Sequence, residues 1–155
     1  MAKRKAIKLK GKEVPIQAAR WMDQARHDLE NARKNFKIRV YDVAIVSCEQ
    51  ALEKALKALY IAQKHEFAPR THEITFFADE TQMRPLLDAT LLKLQDLYFL
   101  LRYPEPEGPM PFALATREDA QNIIKLTASA LPMIQAECDD AQQKNSETAE
   151  PSKSE

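Results

Sequence analysis

The side chain best suited to bind an anion is an arginine in the stretch LYFLLRYPEPEGP, residues 97–109. Arg102 follows Tyr98 by four residues, so the two side chains share one face of a helix, next to Leu94 and Leu101. A guanidinium on an apolar stripe must be paired with a carboxylate or it costs several kcal/mol. We therefore expect Arg102 to lie between helices. It would act there either as a structural ion-pair partner or as the anion-binding group of a cleft.

The expected partner of that arginine is a row of charges in CEQALEKALKALYIAQKHE, residues 48–66. Glu49, Glu53 and Lys57 follow one another at intervals of four, so they lie along one face of a helix. Either glutamate could supply a carboxylate to Arg102. The row is then a candidate binding site that faces Arg102, or a set of polar contacts that brace the helices.

The histidines indicate neither a metal site nor a standard catalytic motif. His27, His65 and His72 are not spaced as ligand pairs, and two glycines in the whole chain exclude a glycine-rich phosphate loop. We expect no metal, no cofactor and no nucleophile elbow. His72 follows Thr71, which we expect to cap a short helix. A neutral His72 imidazole, hydrogen bonded to a neighbouring helix, is the better interpretation there.

Helices must position these residues, because so few glycines are atypical of turn-rich β folds. Apolar residues at intervals of three and four predict a first helix from about Pro15 and a second over 41–64. A third should run from Pro85 to Pro104, and a fourth should follow a Thr116 cap. The predicted fold is an all-α, antiparallel, up-and-down four-helix bundle. One extra short helix lies between its second and third helices.

The ends of the chain differ in composition from this bundle, which should span 14–141. Residues 1–13 contain six basic residues and predict a flexible basic arm, which could touch an acidic partner or nucleic acid, or aid solubility. Residues 142–155 lack apolar periodicity and predict a disordered tail. Residues 1–70 carry a balance of +8 and residues 71–155 one of −8. These opposite charges of the two halves fit head-to-tail contact between subunits or binding of an anion. Alternatively, they are ordinary solvated charges on the outer faces of helices.

The sequence also bears on the compartment. We expect a cytoplasmic protein without a membrane span, because no signal-peptide core and no stretch of about 20 apolar residues is present. Cys48 and Cys138 show no metal-binding spacing, and two reduced thiols fit that compartment better than a disulfide.

Three stretches in this order resemble the HEPN domain family (higher eukaryotes and prokaryotes nucleotide-binding), in its small stand-alone prokaryotic form. They are ARWMDQARHDLENARKNFKIRVYDVAIVSCEQALEKALKALY, then RTHEI, then LYFLLRYPEP. The resemblance implies a helical bundle that forms a homodimer and often works with a small nucleotidyltransferase protein, as in toxin–antitoxin pairs. Several members are metal-independent ribonucleases that use an Arg followed, after four to six residues, by a His. Their chemistry is acid–base cleavage through the RNA 2′-hydroxyl.

This sequence departs from the ribonuclease motif, since no His follows Arg102 and Pro104 interrupts the helix. The resemblance therefore implies a non-catalytic module that binds nucleotide or RNA, a partner protein, or both. A divergent ribonuclease that uses His72, and a purely structural dimerisation module, are the alternatives. The polar residues that carry over as ligand-binding candidates are Glu53, Lys54, Lys57, Thr71, His72, Arg102 and Tyr103. Lys54 and Lys57 could hold phosphate as point charges.

Overall fold

The computed structural model describes residues 5–149, which form helices and no strand. In chain order the helices are α1 (Val14–Lys37), α2 (Tyr41–Lys64), α3 (Ile74–Glu80), a 3-10 turn (Arg84–Leu86), α4 (Ala89–Leu92), α5 (Leu94–Arg102), α6 (Pro111–Leu114) and α7 (Arg117–Ala149). The all-α prediction is confirmed, with α3 as the extra short helix. None of the helices in this part of the chain combines the length and the apolar character that crossing a bilayer requires.

The long helices alternate in direction, as an up-and-down bundle requires. The α1–α7 pair is antiparallel, because Phe36 near the end of α1 lies against Arg117 at the start of α7, and Arg26 earlier in α1 donates to Gln135 later in α7 at 2.5 Å. The α2–α7 pair is parallel, because the Asn145 amide near the end of α7 donates to the Ala62 carbonyl near the end of α2. Helices α2 and α7 therefore both begin at the end of the bundle where α1 finishes.

Helix α2 is the centre of the core, packed against α1, α3, α5 and α7. It buries 15 of its 24 residues, whereas α1, which has the same length, buries seven. The expected inward positions are confirmed, since the following side chains are at most 2% exposed: Ile45, Cys48, Leu52, Ala55, Leu56 and Leu59. Burial on several sides means that the charged residues of α2 cannot all lie on a solvated face.

The third long helix of the prediction is broken into a 3-10 turn and helices α4 and α5. The Asp88 carboxylate accepts from the Thr90 backbone N–H at 2.8 Å and caps α4, which interrupts the helix expected from Pro85. Lys93 separates α4 from α5, and α5 ends at Arg102, as expected from Pro104. Only nine residues therefore form the helix that carries Arg102.

The helix caps agree with the prediction at one of two positions. The Thr116 hydroxyl accepts from the Asp119 N–H at 3.1 Å, and the Asp119 carboxylate accepts from the Thr116 N–H, so α7 begins with a capping box. The predicted Thr71 cap is wrong, because α3 begins at Ile74 and the Thr71 hydroxyl accepts from the Glu73 N–H instead. Helix α7 continues through Pro132.

Both ends of the chain are more regular than the sequence predicts. Leu9 donates to the His65 carbonyl and Phe67 donates to the Ile7 carbonyl, so residues 7–9 pair with residues 65–67 as a short antiparallel bridge. Helix α7 runs on to Ala149 because the last turns of α2 give Asn145 a partner. The rest of the predicted arm, residues 1–4, and of the predicted tail, residues 150–155, lie outside the described residues.

Candidate functional site

The charged row of α2 is buried rather than solvated. Glu49, Glu53 and Lys57 are 2%, 3% and 5% exposed. The Lys57 Nζ lies 2.5 Å from the Glu53 Oε1, and 5.3 Å and 5.4 Å from the ring centres of Trp21 and Phe77. One ammonium group thus joins α1, α2 and α3, and its positive charge is taken up by a carboxylate and two ring faces. This arrangement braces the bundle.

His72 connects this buried pair to the surface. Its Nδ1 lies 3.2 Å and 3.3 Å from the two Glu53 oxygens, while the side chain is 82% exposed. The expected contact between His72 and a neighbouring helix is confirmed. An exposed imidazole oriented by a buried carboxylate has the geometry of a general base with its orienting group. Arg102 does not contact it.

Glu49 is the least solvated carboxyl group of the row. Burial raises the pKa of Glu49 from 4.5 to about 7, and the nearby charge of Glu53 adds to the increase. The Gln50 amide, which donates to Glu49 at 2.7 Å, acts in the opposite direction. The Glu49 carboxyl therefore changes its charge close to neutral pH.

Lys54 belongs to a different contact between the same two helices. Its ammonium group forms an ion pair with Asp28 of α1, and Gln24 also donates to that carboxylate at 3.0 Å. Both members of the pair are largely shielded from solvent. The structure thus separates Lys54 from Lys57, and each lysine already has a carboxylate partner. Phosphate binding by these two lysines stays a prediction.

The burial expected for Arg102 is wrong. Its side chain is exposed, its Nη1 donates to the Tyr98 hydroxyl at 2.8 Å, and its Cζ lies 5.0 Å from the Tyr98 ring centre. Leu101 takes the inward position instead and lines a groove with Ile45. Glu53 lies eight residues after Ile45 in α2, which is about 12 Å from Ile45 along the helix axis. Arg102 forms no ion pair with Glu49 or Glu53, which bond instead to Gln50 and to Lys57 with His72, so the expected pairing of Arg102 with this row is wrong.

The surface around Arg102 is apolar and aromatic. Six of the twelve exposed large hydrophobic residues in the described chain lie on or between α5 and α6. This α5–α6 face consists of Phe99, Leu100, Tyr103, Met110, Phe112 and Leu114. Tyr103 is 57% exposed and stacks on Phe99 with ring centres 6.4 Å apart. Such concentration on one short segment is unlike scattered surface hydrophobics and is typical of an interaction surface.

A groove of about 300 Å³ runs beside this face, between α5, α6 and α7. Its apolar lining residues include Ile45, Leu97, Leu100, Leu114 and Ile123. The sequence prediction missed both the groove and the α5–α6 face. The available signal was the run of apolar residues at 97–101, which is too long to fit on one face of a helix.

In the described part of the chain, the buried thiols and the acidic residues do not form a metal site. Within residues 5–149, no three His, Cys, Asp or Glu side chains lie together in a group that could hold an ion. Cys48 and Cys138 are buried free thiols, and burial raises the pKa of each to about 12. Neither thiol is therefore a nucleophile in the folded chain.

The all-α arrangement of α1 to α7 makes this chain a helical-bundle protein. The HEPN domain model matches residues 18–136, and the chain belongs to the HEPN domain family, whose helical modules are of the nucleotide-binding and ribonuclease type.

The chain is also similar to solved structures. The crystal structure of the protein TT1696 from Thermus thermophilus is 27% identical, with a TM-score of 0.66 over 78% of this chain and 98% of that one. ST0689, an archaeal HEPN homologue, is also 27% identical, with a TM-score of 0.58 over 79% and 98% of the two chains. No curated protein matches the sequence.

Proposed function

We propose that this chain is a non-catalytic HEPN module of the cytoplasm that binds nucleotide or RNA as a homodimer, together with a nucleotidyltransferase-type partner. One observation carries the proposal: Arg102 is an exposed arginine on an aromatic surface without a histidine beside it. An exposed guanidinium suits binding of a phosphate, whereas cleavage needs an acid–base group as well.

The case against catalysis rests on the positions of the histidines, all of which lie in the described part of the chain. His27 is on the exposed side of α1, His65 ends α2, and His72 is bonded to Glu53. None of them contacts Arg102 in the monomer, where Arg102 donates to Tyr98. An arginine alone can stabilise negative charge, but it cannot exchange protons with the 2′-hydroxyl at neutral pH.

RNA cleavage separates the binding module from the divergent ribonuclease. We expect the wild type and Arg102→Ala to leave single-stranded RNA equally intact over hours, measured on denaturing gels. His72→Ala serves as the matched variant for the exposed imidazole. Cleavage by the wild type that either substitution abolishes would establish an enzyme and contradict the proposal.

The α5–α6 face supports the dimer. Phe112 and Phe99 are 70% and 55% exposed, and aromatic residues of this kind are enriched at the centres of protein interfaces. A two-fold arrangement would place this face against its own copy and cover the rings on both sides.

Substitution of the face should dissociate the dimer. We expect Phe99→Asp with Phe112→Asp to raise the dimer dissociation constant by at least about tenfold, since buried charge opposes association. Sedimentation velocity measures the effect. Ile16→Asp, at a 59% exposed isoleucine of α1, is the control and should remain dimeric. A monomeric wild type, or a dimer that only Ile16→Asp disrupts, would refute this interface.

The nucleotidyltransferase-type partner rests on family membership. Its test is genetic and biochemical: a small nucleotidyltransferase encoded beside this chain should co-purify with it when both are expressed together. Independent elution of the two proteins would leave the chain as a stand-alone module and remove the two-component hypothesis.

A further inference from the structure

We infer that the end of the bundle where α1 finishes and α2 and α7 begin binds a nucleotide through its phosphate and base, either free or within single-stranded RNA. The inference rests on the proposed function and adds a second set of ligand-binding residues to Arg102. The site is an open pocket of about 540 Å³, a size suited to a small ligand. This basic pocket is lined by Phe36, Lys37, Arg39, Tyr41 and Arg117.

The pocket carries three positive charges and no acidic lining residue. Lys37, Arg39 and Arg117 form no ion pair with any described residue. Elsewhere on the surface, Arg26, Arg33 and Arg84 are held by carboxylates close to them in sequence. Three cations without a counter-charge around one cavity attract an anion with several negative oxygens, such as phosphate.

The two rings of the pocket suit the nucleotide base. Phe36 and Tyr41 lie with ring centres 5.6 Å apart, both partly exposed, and the Arg117 guanidinium lies 5.7 Å from the Phe36 ring centre. A guanidinium placed over a ring keeps its N–H groups free to donate two hydrogen bonds to a phosphate. Aromatic and guanidinium planes in turn offer stacking surfaces to any base.

The helix directions add positive potential at the same place. The 24-residue α2 and the 33-residue α7 both begin at the pocket, with Tyr41 and Arg117 as their first residues. Helix N-termini attract phosphate because their first backbone N–H groups lack helical partners and the dipoles align. In α7 one of these groups, the Asp119 N–H, already donates to Thr116, and the first turns also carry Asp42, Glu118 and Asp119. Lys34 and Lys37, in the last turn of α1, offset the negative end of that helix.

Two of the arginines occupy positions that folding alone disfavours. Arg39 has a φ of 64°, a left-handed conformation that costs a residue with a Cβ energy and that glycine adopts freely. Arg117 places a positive charge on the first residue of α7, where the helix dipole favours an acid. An anionic ligand gives a reason for arginine at both positions, because strained or unfavourable residues are retained where function needs them.

The experiment measures binding of adenosine 5′-monophosphate by calorimetry and of a labelled single-stranded oligoribonucleotide by anisotropy. We expect Arg117→Ala and Arg39→Gly each to weaken binding by about tenfold. Each should also lower the slope of log affinity against log salt for the RNA by about 0.7. Arg39→Gly removes the charge while relaxing the backbone, so its melting temperature should equal or exceed that of the wild type.

The control is Lys125→Ala, an exposed cation further along α7, and this variant should bind as the wild type does. Binding of both ligands indicates recognition of a single nucleotide, and binding of RNA alone indicates recognition within a strand. Unchanged binding by the pocket variants would overturn this site and leave the proposed function intact, whereas no binding by the wild type would overturn both.

Discussion

Lys57→Met should destabilise the folded chain by about 3–5 kcal/mol, because it leaves the Glu53 carboxylate buried without its ammonium partner. Glu53 is 3% exposed, and apart from Lys57 it contacts only the imidazole of His72 among charged or titratable described groups. Methionine keeps the length of the lysine stem and its contacts with Trp21 and Phe77. The loss of unfolding free energy therefore measures the effect of removing the Lys57 ammonium charge. Urea denaturation monitored by circular dichroism measures it.

A second substitution tests whether the stability lost in Lys57→Met comes from the unpaired Glu53 carboxylate. In Lys57→Met combined with Glu53→Gln the buried charge is gone, so we expect most of the lost stability to return. Lys64→Met is the matched control, because Lys64 pairs with Glu80 at 3.8 Å on the surface and such pairs contribute at most about 1 kcal/mol. A loss below about 1 kcal/mol for Lys57→Met would show that water reaches Glu53, contrary to the observed packing.

Glu49 should make stability fall as pH rises toward neutrality. Its folded-state pKa is about 7 and its ordinary value is 4.5, so below pH 4.5 the carboxyl group is protonated in both folded and unfolded chains. Between these values only the folded chain holds the proton, and stability declines with pH. Well above pH 7 both forms are ionised, and the loss is complete at on the order of 3 kcal/mol.

The matched measurement is the difference in unfolding free energy between the wild type and Glu49→Gln. We expect the wild type to lose about 2–3 kcal/mol relative to this variant between about pH 5 and pH 8. Glu107→Gln, in the exposed connection before α6, should show no such change. A difference that is constant with pH would mean that the Glu49 carboxyl group is already ionised in the folded chain at the acidic end of this range.

Much of the helical framework could be predicted because local signals mark it. Pro15 falls in the first turn of α1, the bounds of α2 coincide with the predicted 41–64, and the Thr116 and Asp119 pair caps α7. These signals act within one or two turns of helix, which a sequence displays directly. The start of α4 was missed because a single side chain, Asp88, decides it through one hydrogen bond.

The site was harder to predict because its geometry depends on which side of each helix faces the core and on contacts between segments that are distant in the sequence. Successive helix residues differ in direction by about 100°, so Leu101 can face the core while Arg102 faces outward. The apolar pattern of α5 admits either choice until the groove beside Ile45 is known. Arg117 joins Phe36 and Tyr41 only because α7 begins where α1 ends, a relationship that no short stretch of sequence contains.

The burial of α2 on several sides bears on how the chain can diverge from its relatives. With 15 of 24 positions shielded, including three charged ones, most single exchanges there disturb packing or leave a charge unpaired. Outer positions of α1 and α7 carry no such constraint. Substitutions should therefore accumulate at the outer positions of α1 and α7 and be rare in α2. That would explain why the stretch QALEKALKALY could reveal kinship in a single sequence.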